Sequence, residues 1–422
     1  MDRPFFYGWV IVGTLFMVNF ATMATGTLNF GLFVLPMSDD LGMSRGFIGW
    51  SQTTRMLAGG VSGFILGRLL DRHGPRVLIA VASLTTGACM VGLVYIQDAW
   101  QFLLLFSVMG LIGLSAPGGL LTSVPVAKWF VRQRGKALAM ATMGLGVGGI
   151  AFMPVTQVLI DEVGWRGTWL VLAIVSVTLT VPLAVLLLRR QPEDMGLNPD
   201  GAPTELPQLS QRLASREDHQ WTASQALHTR TFWRLILFFG LLGFAAGGGS
   251  IHRLPYWVEQ GFDPKLVSYA FSADAAGAAL MALTAGFLVD RFPVRFVALA
   301  SCLGFITAIG LMLIASTAFY LFASTILFGL SVGANMIVTS FVWADYYGRT
   351  FLGTIRGIVL PATLVTAGAG APIAGYIYDA GGSYKPVWWI LIMLYALAAL
   401  VIINTKAPQP LKPQGDITPN PD

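Results

Sequence analysis

The sequence predicts an all-α membrane protein with twelve transmembrane helices in two pseudo-symmetric six-helix halves. Three observations lead to this prediction: the composition, a series of long apolar runs, and one loop that occurs twice. Hydrophobic residues make up 55% of the 422-residue chain and charged residues only 11%, whereas a soluble domain is about a quarter charged. The solvent for most of the chain is therefore lipid, where runs of about 20 apolar residues are expected to form helices.

Twelve apolar runs define the predicted spans. In the first half they cover residues 7–35, 46–68, 76–96, 100–127, 135–159 and 166–188. In the second half they cover residues 232–257, 265–288, 294–315, 317–343, 352–378 and 386–404. The first and seventh spans are long for a bilayer core of about 30 Å, so we expect both to tilt or break. The expected break in the seventh span is at Gly247, Gly248 and Gly249.

The polar sequence between the halves and the distribution of basic residues predict the domains and the orientation. We predict an N-terminal half at 1–188, a cytoplasmic linker at 189–231, a C-terminal half at 232–405 and a cytoplasmic tail at 406–422. With both termini in the cytoplasm, the inside segments hold 20 of the 26 Lys and Arg residues, the bias that orients membrane proteins. Because these residues are scattered over short loops, the net charge of +5 does not indicate nucleic-acid binding.

One loop occurs twice in the chain. The first copy is GRLLDRHGPR, from Gly67 to Arg76, and the second is GFLVDRFPVR, from Gly286 to Arg295, 219 positions later. No gap is needed to pair the two copies. Two hydrophobic halves related by a parallel repeat are typical of one large class of secondary transporters.

The pattern GxxxDRxGxR between the second and third spans resembles the signature loop of the major facilitator superfamily. The resemblance covers essentially the whole chain, because the second half repeats the loop and the linker lies where the superfamily has one. It implies that the loops latch the two halves together in one state of a transport cycle. The residues that would carry this gating role are Gly67, Asp71, Arg72, Arg76, Gly286, Asp290, Arg291 and Arg295. The alternative is that their charges only fix the topology.

Four stretches resemble the monocarboxylate transporter group and its bacterial relatives, which include oxalate–formate exchangers. They are YGW (Tyr7 to Trp9), WFVRQRGKALAMATMGLGVG (Trp129 to Gly148), RQPEDMGLNPDG (Arg190 to Gly201) and IHRLPYWVEQGF (Ile251 to Phe262). The resemblance implies a small organic anion as substrate and a bacterial inner membrane as location. Where the group usually has an Asp and an Arg in the eighth span, however, this chain has Ala278 and Ala282. Another arginine would then have to hold the substrate carboxylate.

Ionisable residues inside apolar spans are costly to bury and are therefore candidates for function. Arg55 and Asp274 each lie 12 residues before a loop glycine, so one half presents a cation where the other presents an anion. Arg55 could bind a carboxylate with its planar guanidinium. Asp274 could take the coupling proton, because burial favours the neutral acid. Alternatively both are structural, each paired with a backbone carbonyl or with the other.

Further candidates lie in the seventh span and among isolated polar residues. The imidazole of His252 could carry a proton or bind substrate, since histidine titrates near neutral pH. Arg253 could replace the missing arginine, or it could snorkel to the outer surface. Polar residues within other apolar runs could bind substrate or simply hydrogen-bond neighbouring helices. They are Asn29, Gln52, Asn335 and Tyr376.

We therefore predict a secondary transporter that moves a small monocarboxylate-like anion by alternating access, coupled to a proton. A second hypothesis keeps the fold but moves a larger organic solute, such as a vitamin or an aromatic acid, inward or outward. A third is a membrane sensor that binds solute without moving it. An enzyme is not predicted, because no nucleophile–base pair, metal-ligand cluster or phosphate loop occurs in a suitable setting. No cofactor or metal is expected. The expected partners are the organic anion, the proton and the lipid bilayer, and the protein is expected to be a monomer.

Overall fold

The computed structural model describes residues 6–112, 120–130, 133–198, 200, 221–347 and 352–408. These residues form helices joined by short turns, without a β-strand among them. The first four spans are α1 (Gly8–Leu41), α2 (Arg45–His73), α3 (Pro75–Val94) and α4 (Ala99–Leu111 with Leu120–Trp129). The helical stretch Arg134–Leu187 contains both α5 (134–163) and α6 (165–187), because Gly164 between them has a positive φ of 71°.

The second half repeats this series of six spans. They are α7 (Arg230–Ser250 with Arg253–Glu259), α8 (Pro264–Arg291), α9 (Val294–Leu313), α10 (Ala318–Tyr347), α11 (Leu352–Gly381) and α12 (Lys385–Ile403). The predicted all-α architecture of twelve helices in two halves is confirmed. Within the described residues, eight stretches are long and apolar enough to cross a membrane, and one of them, Lys136–Leu187, holds both α5 and α6.

Both long spans break, as predicted, but α7 does not break at the predicted glycines. In α1 the backbone becomes extended at Gly26, where ψ is 151°. The prediction for α7 was wrong, because the helix continues through Gly247 and its two glycine neighbours and breaks just before His252. These glycines let α7 pack closely on α11, so that a Cβ added at Gly247 would collide with the carbonyl of Ala367. Small residues serve such close contacts in membrane helices without breaking the helix.

The repeat in the sequence recurs in the packing of the helices. Gly110 of α4 packs against the backbone carbonyl of Arg55 in α2, so closely that an added Cβ would collide with it. Gly329 of α10, 219 positions later, packs in the same way against the carbonyl of Asp274 in α8. The two halves are therefore built on one pattern of close backbone contacts.

The helix bundle has two distinct ends. The linker end holds the α2–α3 turn and the start of the linker, because Gly74 packs against the side chain of Arg190. The opposite end, here called the distal end, holds the start of α2 and the end of α11. There the two halves meet: a Cβ added at Gly375 would lie 2.5 Å from the Cα of Gly46.

Contacts between the halves continue inward from the distal end along two helix pairs. Between α2 and α11, the hydroxyl of Thr53 donates a hydrogen bond to the carbonyl of Gly368. Between α5 and α8, the hydroxyl of Ser272 donates to the carbonyl of Ile150 at 3.0 Å. The chain is thus in a conformation whose distal end is closed.

Candidate substrate and coupling site

Arg253 and Asp274 form a buried ion pair between α7 and α8. The guanidinium Nη2 lies 2.7 Å from the Asp274 Oδ2, and each residue is only 2% exposed. Arg253 begins the second segment of α7, immediately after the break, and Asp274 lies inside α8. Arg253 therefore does not snorkel to the surface, and that alternative was wrong. The break instead directs the Arg253 side chain into the interior of the second half, toward α8.

Aromatic rings enclose the arginine of this pair. Its Cζ lies 3.5 Å from the ring centre of Phe328 and 4.8 Å from that of Phe271. Phe305 packs on both Phe328 and Tyr395, with ring centres 4.9 Å and 4.5 Å away. With water excluded, the attraction between the two charges is strong, but losing either partner leaves the other charge uncompensated.

His252 is held through both of its ring nitrogens. The Nδ1 lies 2.9 Å from the Tyr384 hydroxyl, and the Nε2 lies 2.8 Å from the carbonyl oxygen of Ala371. A carbonyl only accepts, so Nε2 must donate, and a neutral ring then accepts from Tyr384 through Nδ1. Burial raises the pKa of Tyr384, which keeps its hydroxyl available as that donor. In this conformation neither nitrogen is free for substrate, and a proton-carrying role for His252 stays a prediction.

Arg55 lies in the first half and is 6% exposed. Its Nη1 donates to the carbonyl oxygen of Thr25 at 2.5 Å, just before the α1 break. Its Nε is buried and has no hydrogen-bond partner among the residues that the structure describes. The structure thus pairs Arg55 with a backbone carbonyl and Asp274 with Arg253, and does not pair Arg55 with Asp274. A substrate-binding role for Arg55 stays a prediction, and its unused Nε is compatible with it.

Within the described part of the chain, three amide side chains among the predicted site residues each have a buried hydrogen-bonding atom that lacks a partner. They are the Oδ1 of Asn29, the Nε2 of Gln52 and the Oδ1 of Asn335. Buried polar atoms are normally paired, so unpaired ones call for a ligand or water. Tyr376 differs, because it is half exposed at the contact between the halves and accepts a 3.1 Å hydrogen bond from the Trp50 Nε1. Asn29 donates to the carbonyl oxygen of Ala24, and the hydrogen bond of Tyr376 is likewise with a residue other than Arg253.

A cluster of side chains at the distal end was missed in the sequence. Arg45 at the start of α2 forms an ion pair with Glu259 at the end of α7. The backbone N–H groups of Arg45 and Gly46 donate to the two carboxylate oxygens of Asp379, at 3.1 and 2.9 Å. The Arg45 Cζ also lies 3.9 Å from the ring centre of Tyr378, whose hydroxyl donates to Glu259 at 2.9 Å. We call Arg45, Glu259, Tyr378 and Asp379 the distal latch.

The distal latch joins the two halves, because Arg45 belongs to the first half and its partners to the second. In the sequence these residues resemble ordinary charges at helix ends. The signal that could have revealed them is a basic residue at the start of α2 facing acidic residues at the ends of α7 and α11.

The family model of the Major Facilitator Superfamily matches residues 15–260 and 253–419. The chain belongs to this superfamily. It is 25% identical over 390 residues to the uncharacterized MFS-type transporter YcxA of Bacillus subtilis, covering 88% of this chain and 89% of that protein. It is 24% identical over 396 residues to Monocarboxylate transporter 11 of Homo sapiens, covering 90% of this chain and 78% of that protein.

Solved structures of other superfamily members are similar in fold. The nucleoside transporter NupG has a TM-score of 0.73 at 14% identity, with 94% of this chain and 98% of that chain covered. A D-xylose-proton symporter has a TM-score of 0.71 at 14% identity, with coverages of 94% and 97%. The family and these relatives are transporters, so the predictions of a membrane transporter and of a protein other than an enzyme are confirmed. Within the described residues, no group of His, Cys, Asp or Glu could hold a metal ion.

The signature loops of the superfamily lie at the two predicted turns. Gly74, between α2 and α3, has a φ of 75°, which favours glycine. Arg76 and Arg291 are exposed, Arg295 is half buried, and a Cβ added at Gly286 would meet no other group within 4 Å. The surroundings of Gly67 and the side chains of Asp71, Arg72 and Asp290 lie outside the described residues. The gating role of these loops stays a prediction.

Proposed function

We propose that this superfamily member moves a small monocarboxylate-like anion across the membrane together with a proton, by alternating access. The observation that carries the proposal is the buried ion pair of Arg253 and Asp274. At one place, Arg253 supplies a cation that can bind the substrate carboxylate, and Asp274 supplies a carboxylate that can accept a proton. The similarity to Monocarboxylate transporter 11 supports the same class of substrate.

The charge balance of this pair would couple the proton to the anion. When Asp274 takes up a proton, Arg253 keeps its charge, because a guanidinium does not lose its proton in proteins. A lone buried cation is unfavourable, and a substrate carboxylate that accepts hydrogen bonds from the guanidinium restores neutrality. The empty site and the loaded site are then both neutral. One proton would therefore accompany each monocarboxylate.

The other candidates would bind the rest of the solute or serve the conformational cycle. The unpaired amide atoms of Asn29, Gln52 and Asn335 are suited to polar groups of the solute. Arg55 would be the second cation of the pathway, while His252 and Tyr376 would act near the distal closure. The two signature loops would latch the linker end when the distal end opens.

We further propose a bacterial inner membrane as the location, with the linker and both termini in the cytoplasm and the chain acting as a monomer. The distribution of Lys and Arg supports this orientation. The distal end would then face outward, and the distally closed conformation would be open toward the cytoplasm. We also propose that the N-terminal half ends at residue 188 and the C-terminal half begins at residue 232.

A larger organic acid is the second candidate substrate. The rings of Phe328 and Phe271 beside Arg253 favour it, because they could pack on an aromatic solute bound to the guanidinium. The absence of an arginine at position 282 in α8 also separates this site from that of the monocarboxylate group.

Uptake into proteoliposomes tests the proposed function. We expect an inward proton gradient to stimulate uptake of labelled lactate, pyruvate or acetate. Clamping the membrane potential should leave the rate unchanged, because a proton and a monocarboxylate together carry no net charge. Protein-free liposomes are the control for passive entry of the acid. Stimulated uptake of benzoate alone would favour the second candidate, and no stimulation with any acid would contradict an organic-anion substrate.

The variant Arg55→Gln distinguishes the role of Arg55 from that of Arg253 in the same uptake assay. We expect gradient-driven uptake to slow but to persist, because Arg253 would still hold the carboxylate. The free energy of unfolding should fall by about 1.5–3 kcal/mol through loss of the charged hydrogen bond to Thr25. Thermal unfolding of the purified protein measures the second effect. If uptake disappears in Arg55→Gln but survives in Arg253→Gln, the anion site belongs to Arg55 instead.

A further inference from the structure

A continuous chain of contacts connects the distal latch to the buried ion pair. Tyr384, which precedes α12, lies between them. Its ring centre is 4.3 Å from that of Tyr378 and 5.4 Å from the Arg45 Cζ. Its hydroxyl is 2.9 Å from the Nδ1 of His252. The same side chain thus contacts the latch on one side and the break of α7 on the other.

His252 continues this chain to the ion pair. It is fully buried and directly precedes Arg253 in sequence. Its Nε2 donates a hydrogen bond to the carbonyl oxygen of Ala371. Gly49 of the first half packs on this same peptide group, so closely that a Cβ added at Gly49 would lie 2.7 Å from the Ala371 carbonyl carbon. The residues at the α7 break are closely packed and cannot move independently. Displacing Arg253 is therefore expected to disturb the hydrogen bonds of His252.

Charged groups occur only at the two ends of this chain of contacts, as far as the described residues show. Asp274 faces the guanidinium of Arg253, and His252 lies in the field of Arg45 and Asp379. Between these ends, the connection consists of hydrogen bonds and ring contacts. Such packed networks transmit a displacement when each end has two arrangements.

We propose that Tyr384 and His252 are positioning residues that couple the distal latch to the Arg253–Asp274 pair, so that losing the pair weakens the latch. This inference rests on the proposed function in taking Asp274 as the group that accepts the proton. Protonation of Asp274 releases Arg253, which shifts His252 and removes the support of Tyr384 from the latch. By thermodynamic reciprocity, opening the latch promotes protonation of Asp274 to the same extent.

Distances across the distal end of the empty protein test the coupling. Spin labels are placed at Gln97 and Ser316, exposed positions in the distal α3–α4 and α9–α10 turns, after the buried Cys89 and Cys302 are replaced by alanine. Double electron–electron resonance then gives the ratio of distally open to distally closed molecules. We expect Asp274→Asn, which imitates the protonated acid, to raise this ratio at least about fivefold, the lower end of usual coupling strengths.

Two tyrosine variants show whether the effect passes through Tyr384. In a Tyr384→Phe background, which lacks the hydroxyl bound to His252, Asp274→Asn should change the ratio less than about twofold. Tyr378→Phe is the matched control, because it removes a latch hydroxyl that bonds Glu259 rather than His252. In that background the effect of Asp274→Asn should remain at least about fivefold.

Two results would overturn the coupling: an unchanged ratio in Asp274→Asn, or an equal shift with and without the Tyr384 hydroxyl. If Asp274→Asn does not fold, the doubly neutral Arg253→Gln/Asp274→Asn protein takes its place, because it contains no lone buried charge. The measurement needs no substrate. Failure of acid uptake would therefore contradict the proposed function while leaving the coupling result intact.

Discussion

Asp274→Asn is expected to abolish proton-driven uptake and to destabilise the protein more than Arg253→Gln does. The asymmetry follows from the chemistry of the pair, because each variant leaves the partner alone in a buried, aromatic environment. Asp274 without Arg253 can become neutral by taking up a proton, whereas Arg253 without Asp274 stays charged. Breaking a buried ion pair costs about 3–5 kcal/mol. We expect Asp274→Asn to lose about that amount and Arg253→Gln less.

Thermal unfolding in detergent and proteoliposome uptake measure these two effects. The doubly neutral Arg253→Gln/Asp274→Asn protein should regain most of the lost stability but no proton-driven uptake. Asp40→Asn is the control, because Asp40 forms a half-exposed ion pair with Arg166, and such pairs contribute at most about 1 kcal/mol. Equal losses of stability in the two single variants would contradict the expected asymmetry between the two charges. Full uptake in the doubly neutral protein would remove the pair from the coupling mechanism.

Gly375→Val is expected to trap the carrier with its distal end open. In the closed conformation, a Cβ at this position would lie 2.5 Å from both the Cα and the backbone nitrogen of Gly46. Backbone atoms cannot rotate away, so the valine must separate α11 from α2. Overpacking of this kind costs about 1–3 kcal/mol, and here only the closed conformation bears the strain. The ratio of open to closed molecules should therefore rise roughly 5- to 150-fold.

The spin labels at Gln97 and Ser316 measure this ratio, and uptake should fall as the closed state disappears. Gly310→Val is the matched control, because it makes the same substitution inside α9, where an added Cβ would meet no other group within 4 Å. It should leave the distances unchanged. If Gly375→Val also leaves them unchanged, the contact between Gly375 and Gly46 does not close the distal end.

The fold was predictable because its determinants are local or repetitive. Apolar runs fix the spans, and the loop copies at Gly67 and Gly286 fix the relation between the halves. The position of the α7 break was not predictable from the glycines. Gly247 looks like a helix breaker in isolation, but in lipid it permits close packing on α11, which depends on a distant segment.

The candidate site was predictable in its members but not in its pairings. Charge within apolar sequence identified Arg55, Arg253 and Asp274, because burying a charge in lipid is costly wherever it occurs. The pairing of Arg253 with Asp274 depends on how the α7 break turns toward α8, which no local pattern reports. The distal latch was not predicted, because its charges do not stand out from their sequence surroundings. Arg45 and Asp379 lie at helix ends, where charges are common and their partners cannot be inferred from spacing.

The capping of α2 by Asp379 has a consequence for the strength of the distal closure. The carboxylate satisfies two N–H groups that have no partner within the helix, and water can satisfy the same groups once the halves separate. A carboxylate at a helix start contributes only about 0.3–1 kcal/mol when exposed and about 2 kcal/mol when partly buried. This part of the closure therefore exchanges one set of hydrogen bonds for another of similar strength. The Asp379 cap is therefore specific in geometry but contributes little free energy, so this contact alone does not lock the distal end closed.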